Sequence, residues 1–99
     1  MRTMLTAAFD VEAGNKAISD GSLQKIMESV MSKITPEATY FTTTNGERTM
    51  YVIFDMKDTS EIPAICEPLF MNLKAKVDIK PVMNQEDLQR GLSAWGASK

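Results

Sequence analysis

Six side chains in this sequence carry functional groups suited to ligand binding or acid–base chemistry. They are one amide, four polar groups on predicted strands and one indole: Asn15, Tyr40, Tyr51, Asp78, Lys80 and Trp95. The chain contains no histidine, which excludes histidine metal ligands, a histidine general base and a proximal haem ligand. If the protein is an enzyme, we expect general acid–base chemistry to depend on Asp78 or on a tyrosine.

Asn15 follows the first predicted strand in a helix-weakening Gly14-Asn15 pair, so its amide could point into a pocket. A cap or a turn is the structural alternative. Thr6, Tyr40, Tyr51, Asp78 and Lys80 are polar groups on predicted strands, and some of the five must face the second side of the predicted sheet. Trp95 could close a cavity there. For each of these groups the alternative is a satisfied interface contact.

Other chemically capable residues fit structural roles better. Cys66 lies on the apolar stripe of a predicted helix with no histidine to activate it, so we expect it to pack in the core. Asp55, Asp58 and Glu61 lack the spacing and the glycine of calcium loops, so turns and caps are expected. The eight methionines are interpreted mainly as core residues. No metal or other cofactor is predicted.

Composition narrows the classes of function. The chain has 99 residues, which is the size of one domain, so 1–99 is taken as a single domain. The net charge is -2 and no basic cluster occurs, so we expect no nucleic-acid partner. No run approaches the roughly 18 apolar residues of a membrane span, and the N-terminal apolar stretch is short for a signal peptide. With a lone cysteine, these features predict a cytoplasmic protein.

The first half of the chain predicts a strand, a helix and a hairpin. Residues 2–9 are typical of a strand, whereas residues 11–19 are ambiguous and fit one or two helical turns. Ser22 is the expected cap of a helix that ends before Pro36. Its apolar residues recur at helical spacing: Leu23, Ile26, Met27, Val30, Met31 and Ile34. Asn45-Gly46 then indicates a type I′ hairpin between strands at 38–44 and 47–55.

The second half repeats the order of helix and strand. Thr59 or Ser60 is the expected cap of a second helix, with a stripe at Ile62, Ile65, Cys66, Leu69, Phe70 and Leu73. Pro63 suits its first turn, whereas Pro68 should bend or shorten it. Residues 75–82 predict an edge strand. Asn84 and Asp87 form a capping-box pattern for a short last helix, whose apolar line is Leu88, Leu92 and Trp95, before a frayed tail at 96–99.

The order βαββαβ plus a C-terminal helix predicts an α+β, ferredoxin-like sandwich with both main helices on one face of an antiparallel sheet. The central strands carry apolar groups on both sides, where a half-exposed strand should alternate. We therefore expect a second copy to cover the free face, of about 350 Å² per partner, which makes a homodimer. The alternative is a monomer whose last helix folds under its own sheet.

The whole chain resembles an uncharacterised bacterial family of the dimeric α/β-barrel superfamily. The resemblance rests on four segments: Gly14-Asn15-Lys16-Ala17-Ile18 with Asp20-Gly21, Pro36-Glu37-Ala38-Thr39-Tyr40-Phe41, Glu67-Pro68-Leu69-Phe70, and Pro81-Val82-Met83-Asn84. It implies the fold and the dimer, but it brings no established activity and no catalytic residue. The missing histidine excludes the haem-degrading and histidine-dependent members.

Two hypotheses of function follow. The first is a small homodimeric binding or accessory domain that holds a small apolar molecule between the sheet and the last helix. The second is a cofactor-independent monooxygenase or isomerase in which Asn15, Tyr51 and Trp95 orient a small aromatic substrate. The shape of the cavity discriminates between them, because an open pocket with a carboxylate beside an amide favours the enzyme.

Overall fold

The computed structural model describes residues 1–98. Its strands are β1 (Arg2–Ala8), β2 (Pro36–Thr44), β3 (Glu47–Asp55) and β4 (Lys76–Pro81). Its α-helices are α1 (Val11–Ser19), α2 (Leu23–Met31), α3 (Ile62–Leu73) and α4 (Gln85–Ala97), and a 3₁₀ turn at Thr59–Glu61 leads into α3.

The strands form one antiparallel sheet in the order β2-β3-β1-β4. The helices α1 and α2 connect β1 to β2, a hairpin joins β2 to β3, and α3 connects β3 to β4. The protein is therefore α+β, and its strand order is compatible with the predicted ferredoxin-like arrangement.

The core lies between one face of the sheet and the helices. Leu5 and Ala7 of β1 and Val52 and Phe54 of β3 are at most 1 % exposed, and they alternate with more exposed neighbours. They form one cluster with buried residues of the helices: Ala17, Ile26, Val30, Ile65, Cys66, Leu69 and Leu73. The second face of the sheet carries none of the three packed helices.

Local signals in the sequence predicted several turns and caps correctly. Asn45 and Gly46 have φ angles of 52° and 79°, which are the two positive values that a type I′ turn needs. Asn84 and Asp87 form a complete capping box, with Asp87 N donating to Asn84 Oδ1 at 2.8 Å and Asn84 N donating to Asp87 Oδ2 at 3.0 Å. Pro63 lies in the first turn of α3, where its missing N–H costs nothing.

The first two helices differ from the predicted boundaries. The ambiguous segment is a full helix, α1, because Asp10 caps it by accepting from Ala13 N at 3.0 Å. The helix α2 ends at Met31 with Ser32 as its C-cap, earlier than the predicted end before Pro36. Ile34 nevertheless packs against the core from the loop that follows.

The helix α3 also departs from prediction. Its preceding turn is capped by Asp58, which accepts from Ser60 N at 3.0 Å, and not by Thr59 or Ser60. The helix continues through Pro68 to Leu73, so the expected shortening is wrong. Proline removes one donor to the carbonyl of Ala64, which is an exposed residue, while the buried stripe holds the helix on the core.

The last helix extends further than predicted and projects from the body. It runs to Ala97 and so includes Gly96 and Ala97 of the segment expected to fray, while Lys99 lies outside the described residues. The Cα radius of gyration is 16.0 Å, against about 12.6 Å for a compact chain of this length. Leu88, Leu92 and Trp95 are 43 %, 49 % and 60 % exposed, so this helix is not folded under its own sheet.

Candidate binding face of the sheet

The face of the sheet opposite the packed helices is the candidate site, and we call it the open face. Alternation along the strands and the cross-strand register assign its side chains: Arg2, Met4, Thr6 and Ala8 from β1; Ala38, Tyr40, Thr42 and Thr44 from β2; Glu47, Thr49, Tyr51, Ile53 and Asp55 from β3; Lys76, Asp78 and Lys80 from β4.

Four polar side chains cross the open face in a single line, which we call the polar row. Tyr40 pairs with Tyr51, Tyr51 pairs with Thr6, and Thr6 pairs with Asp78. Directly opposed side chains on neighbouring strands lie about 4.5–5.5 Å apart at Cβ, so each member of the row can contact the next. Three of the six sequence candidates, Tyr40, Tyr51 and Asp78, therefore come together with Thr6 between them.

The polar row has a mostly apolar row beside it. Ala38, Ile53 and Met4 pair across the sheet, and Lys80 ends this line on β4. Lys80 is therefore two residues from Asp78 on the same face. Among residues 1–98, none of the side chains of the polar row makes a hydrogen bond or an ion pair. Their polar atoms are available to a ligand or to a partner chain.

One end of the open face is a concavity of about 500 Å³ beneath the hairpin tip. Lys76 and Glu47 form an ion pair across it, with Nζ 3.2 Å from Oε1. Thr6 and Asp78 of the polar row line the same concavity. The cavity is open and of mixed polarity, so in the single chain it is a shallow recess and not an enclosed pocket.

The other end of the open face is held by ion pairs. Arg2 Nε lies 3.1 Å from Glu37 Oε1, and its guanidinium also contacts Asp87 at the start of α4. The hydrogen bond that Arg2 donates to Glu37 is the main cause of the raised pKa of Arg2. The pKa of Asp87 is lowered by the backbone N–H of Asn84 and then by Arg90 and Arg2. These contacts fix the first turn of α4 to the edge of the sheet.

The Asp55 carboxylate also lies at this end and is strongly paired. Lys57 Nζ donates to it at 2.5 Å, and the amino group of Met1 contacts its other oxygen. These hydrogen bonds lower the pKa of Asp55 to about 2, with Lys57 contributing most. Because its pKa is low, this exposed carboxylate stays ionised over the whole ordinary pH range and is a poor acid–base catalyst.

Asn15 is not part of the open face. Its Oδ1 accepts a hydrogen bond from Arg48 Nη2 at 2.9 Å, and Arg48 leaves β3 on the face opposite Tyr51. Gly14 makes this contact possible, because a Cβ there would lie 2.7 Å from Arg48 Nη1. The structure thus places the Gly14-Asn15 pair against an arginine 33 residues away, a partner that local sequence reasoning missed.

The candidate Trp95 and the core residue Cys66 both lie outside the polar row. Trp95 lies near the end of the projecting α4, 60 % exposed, and does not cover the row. Cys66 is 4 % exposed in the core, and burial, followed by the charge of Glu67, raises the pKa of its thiol. A buried protonated thiol is a weak nucleophile, which agrees with the structural role expected for it.

Metal binding and membrane insertion find no support in the part of the chain described here. Within residues 1–98, no three of the acidic and cysteine side chains cluster as metal ligands would, and this includes Asp55, Asp58 and Glu61. None of the helices in the same residues has the length and apolar character needed to span a bilayer.

Comparison of the chain with protein-family profiles gave no match, and comparison with curated protein sequences gave none either.

Proposed function

We propose that this protein is a homodimeric binding domain in which two copies pack their open faces together and hold a small molecule at the polar row. Such a pair of ferredoxin-like sheets has the architecture of a dimeric α/β barrel, as the resemblance implies. The observation that carries the proposal is the polar row itself, set beside Ile53 and Met4 on a face that its own helices leave uncovered.

The size and charge of the open face favour a second copy as its cover. Strands of six to nine residues give a face of about 490 Å² at ~3.3 Å per residue and ~4.8 Å between strands. Three cations and three anions lie on it: Arg2, Lys76, Lys80, Glu47, Asp55 and Asp78. A face with balanced charge can pair with its own copy about a two-fold axis.

The residues of the polar row define the chemistry of the ligand. Tyr40 and Tyr51 provide aromatic surface and hydroxyl groups, and Thr6 and Asp78 provide a donor and an acceptor. A flat, mostly apolar molecule with one or two hydrogen-bonding groups matches this set. The oxygenase or isomerase alternative needs Asn15 beside Tyr51, but Arg48 holds Asn15 on the other side of the sheet.

Native mass spectrometry and sedimentation of the purified protein test the dimer and its ligand together. We expect a dimer that retains a small molecule or binds one when screened against small phenols and quinones. A protein that stays monomeric at about 100 µM would refute the dimer. A dimer that binds no small molecule in the screen would support the dimer and refute the ligand site.

A matched pair of variants tests the face. Tyr40 and Phe41 are neighbours on β2, point to opposite faces and are 65 % and 67 % exposed. We expect Tyr40→Glu to weaken the dimer by at least ~30-fold, because it places a charge in the interface, and Phe41→Glu to leave it unchanged. Equal effects of the two substitutions would contradict packing through the open face.

A further inference from the structure

We propose that α4 is an arm that packs its apolar stripe, Leu88, Leu92 and Trp95, on a second copy of the chain, against the edge of that copy's sheet beside the paired open faces. This inference rests on the proposed dimer and adds to it the element that completes the interface. The stripe occupies one side of the helix, at spacings of four and three residues, and its leucines are 43 % and 49 % exposed.

The helix has too little intrinsic stability to project into water alone. It has 13 residues, which is the marginal length for an isolated helix. Gly91 and Gly96 lie inside it, and each glycine disfavours the helix relative to alanine. The capping box fixes where the helix begins, but packing of an apolar side is what usually stabilises such a segment.

The helix cannot reach its own sheet without losing the contacts that hold its start. Val82 N donates to Arg2 O at 3.1 Å, which continues the pairing of β4, and α4 begins at Gln85. Only Met83 and Asn84 therefore connect the paired strand to the helix. Arg2 also binds Asp87 in the first turn of α4. Folding the helix back would break this short, anchored connection.

The area that a stable dimer must bury also indicates that the helix belongs to the interface. The open faces alone bury about 1,000 Å² when both copies are counted, below the roughly 1,200–2,000 Å² of stable specific interfaces. The helix is about 20 Å long and about 10 Å wide on its apolar side, so two helices and the equal areas that they cover on the other copy add about 800 Å². The sum of about 1,800 Å² falls within the range of stable dimers. Since the helix begins at the edge of the open face, the copy that covers this face lies within its reach.

The experiment compares two double variants of the full chain that add the same charges to α4. Leu88→Glu with Leu92→Glu changes the apolar stripe, and Gln89→Glu with Ser93→Glu changes an adjacent side of the same helix. We expect the first pair to raise the dimer dissociation constant at least ~100-fold by sedimentation, and the control pair to change it less than ~3-fold. Equal effects, or no effect of the stripe variant, would overturn the arm.

A second measurement keeps the proposal testable if the stripe variant fails to fold. Position 92 is replaced by p-benzoylphenylalanine in otherwise unchanged protein, and chains labelled with ¹⁵N are mixed with unlabelled chains before irradiation. We expect cross-links that join labelled to unlabelled chains and map to the strands of the sheet. Cross-links confined to one chain would overturn the arm.

The outcomes also separate the arm from the proposed dimer. A wild-type monomer refutes the dimer and with it the arm. A wild-type dimer that Tyr40→Glu disrupts and that the stripe variant leaves intact refutes the arm alone.

Discussion

The contact between Gly14 and Arg48 predicts that one substitution has different effects in two backgrounds. An alanine at position 14 would place its Cβ 2.7 Å from Arg48 Nη1, closer than real Cβ contacts come. The obstructing atom is the end of a flexible side chain, so we expect the arginine to move and the helix to stay in place. The hydrogen bond of 2.9 Å from Arg48 to Asn15 would then be lost.

The magnitude follows from two opposing effects. Alanine in place of a mid-helix glycine stabilises a helix by about 0.8–1 kcal/mol. A hydrogen bond to a charged donor contributes up to about 1.5 kcal/mol, and less where water screens it. In the wild type these effects nearly cancel, and Gly14→Ala should change the free energy of unfolding by less than about 0.5 kcal/mol. In an Arg48→Ala background there is no hydrogen bond to lose, so the same substitution should raise the free energy of unfolding by about 1 kcal/mol.

Urea unfolding of the four proteins of this double-mutant cycle, followed by circular dichroism, measures the difference. The coupling between positions 14 and 48 should be about 0.5–1 kcal/mol. In a separate comparison, Asn15→Ala should lower the free energy of unfolding less in the Gly14→Ala background than in the wild type. If Gly14→Ala stabilises both backgrounds equally, Arg48 does not occupy the space beside the glycine, and the structural interpretation of the Gly14-Asn15 pair is wrong.

Three further predictions follow from single residues. Pro68→Ala should stabilise the protein by about 1–3 kcal/mol in urea unfolding, because it restores the backbone donor to the carbonyl of Ala64, and destabilisation would show that the proline shapes α3. Asp55 has a folded pKa of about 2, below its unfolded value of about 3.9, so its pairing with Lys57 stabilises the protein above about pH 4 and is lost as the pH falls toward 2. Over that interval the Asp55→Asn variant should lose less stability than the wild type. An equal loss in both proteins would contradict the low pKa of Asp55. The Cys66 thiol, buried and with a raised pKa, should react with Ellman's reagent only in denaturant, and rapid reaction of the native protein would contradict its burial.

Elements governed by neighbouring residues could be predicted from the sequence. The hairpin follows from Asn45-Gly46, whose residues tolerate positive φ, and the start of α4 follows from Asn84 and Asp87, which satisfy each other's backbone N–H groups. Each of these signals acts over a few residues, so no tertiary contact was needed to interpret it.

The parts that sequence reasoning missed depend on contacts between distant residues. The sequence predicts either a pocket amide or a cap or turn residue at Asn15, because its partner, Arg48, is 33 residues away on a strand. The sequence predicts that Pro68 bends or shortens α3, but the helix is not shortened, because the packing of Leu69 and Leu73 against the core is a tertiary effect. The grouping of Tyr40, Tyr51 and Asp78 in one row required the register of three strand pairs, which composition alone does not determine.

The charges on the open face limit how closely two copies can pack. An unpaired charge removed from water costs several kcal/mol, so a dry interface would have to pair Asp78 and Lys80 with opposite charges of the other copy. Both lie on β4, at the edge of the sheet, whereas Met4, Thr6, Tyr51 and Ile53 occupy its centre. In the proposed dimer the charged residues therefore belong to the rim, where water remains, and the apolar contacts belong to the middle. A ligand at the polar row would lie on the boundary between the two, with its apolar part between the central strands and its polar group toward Asp78.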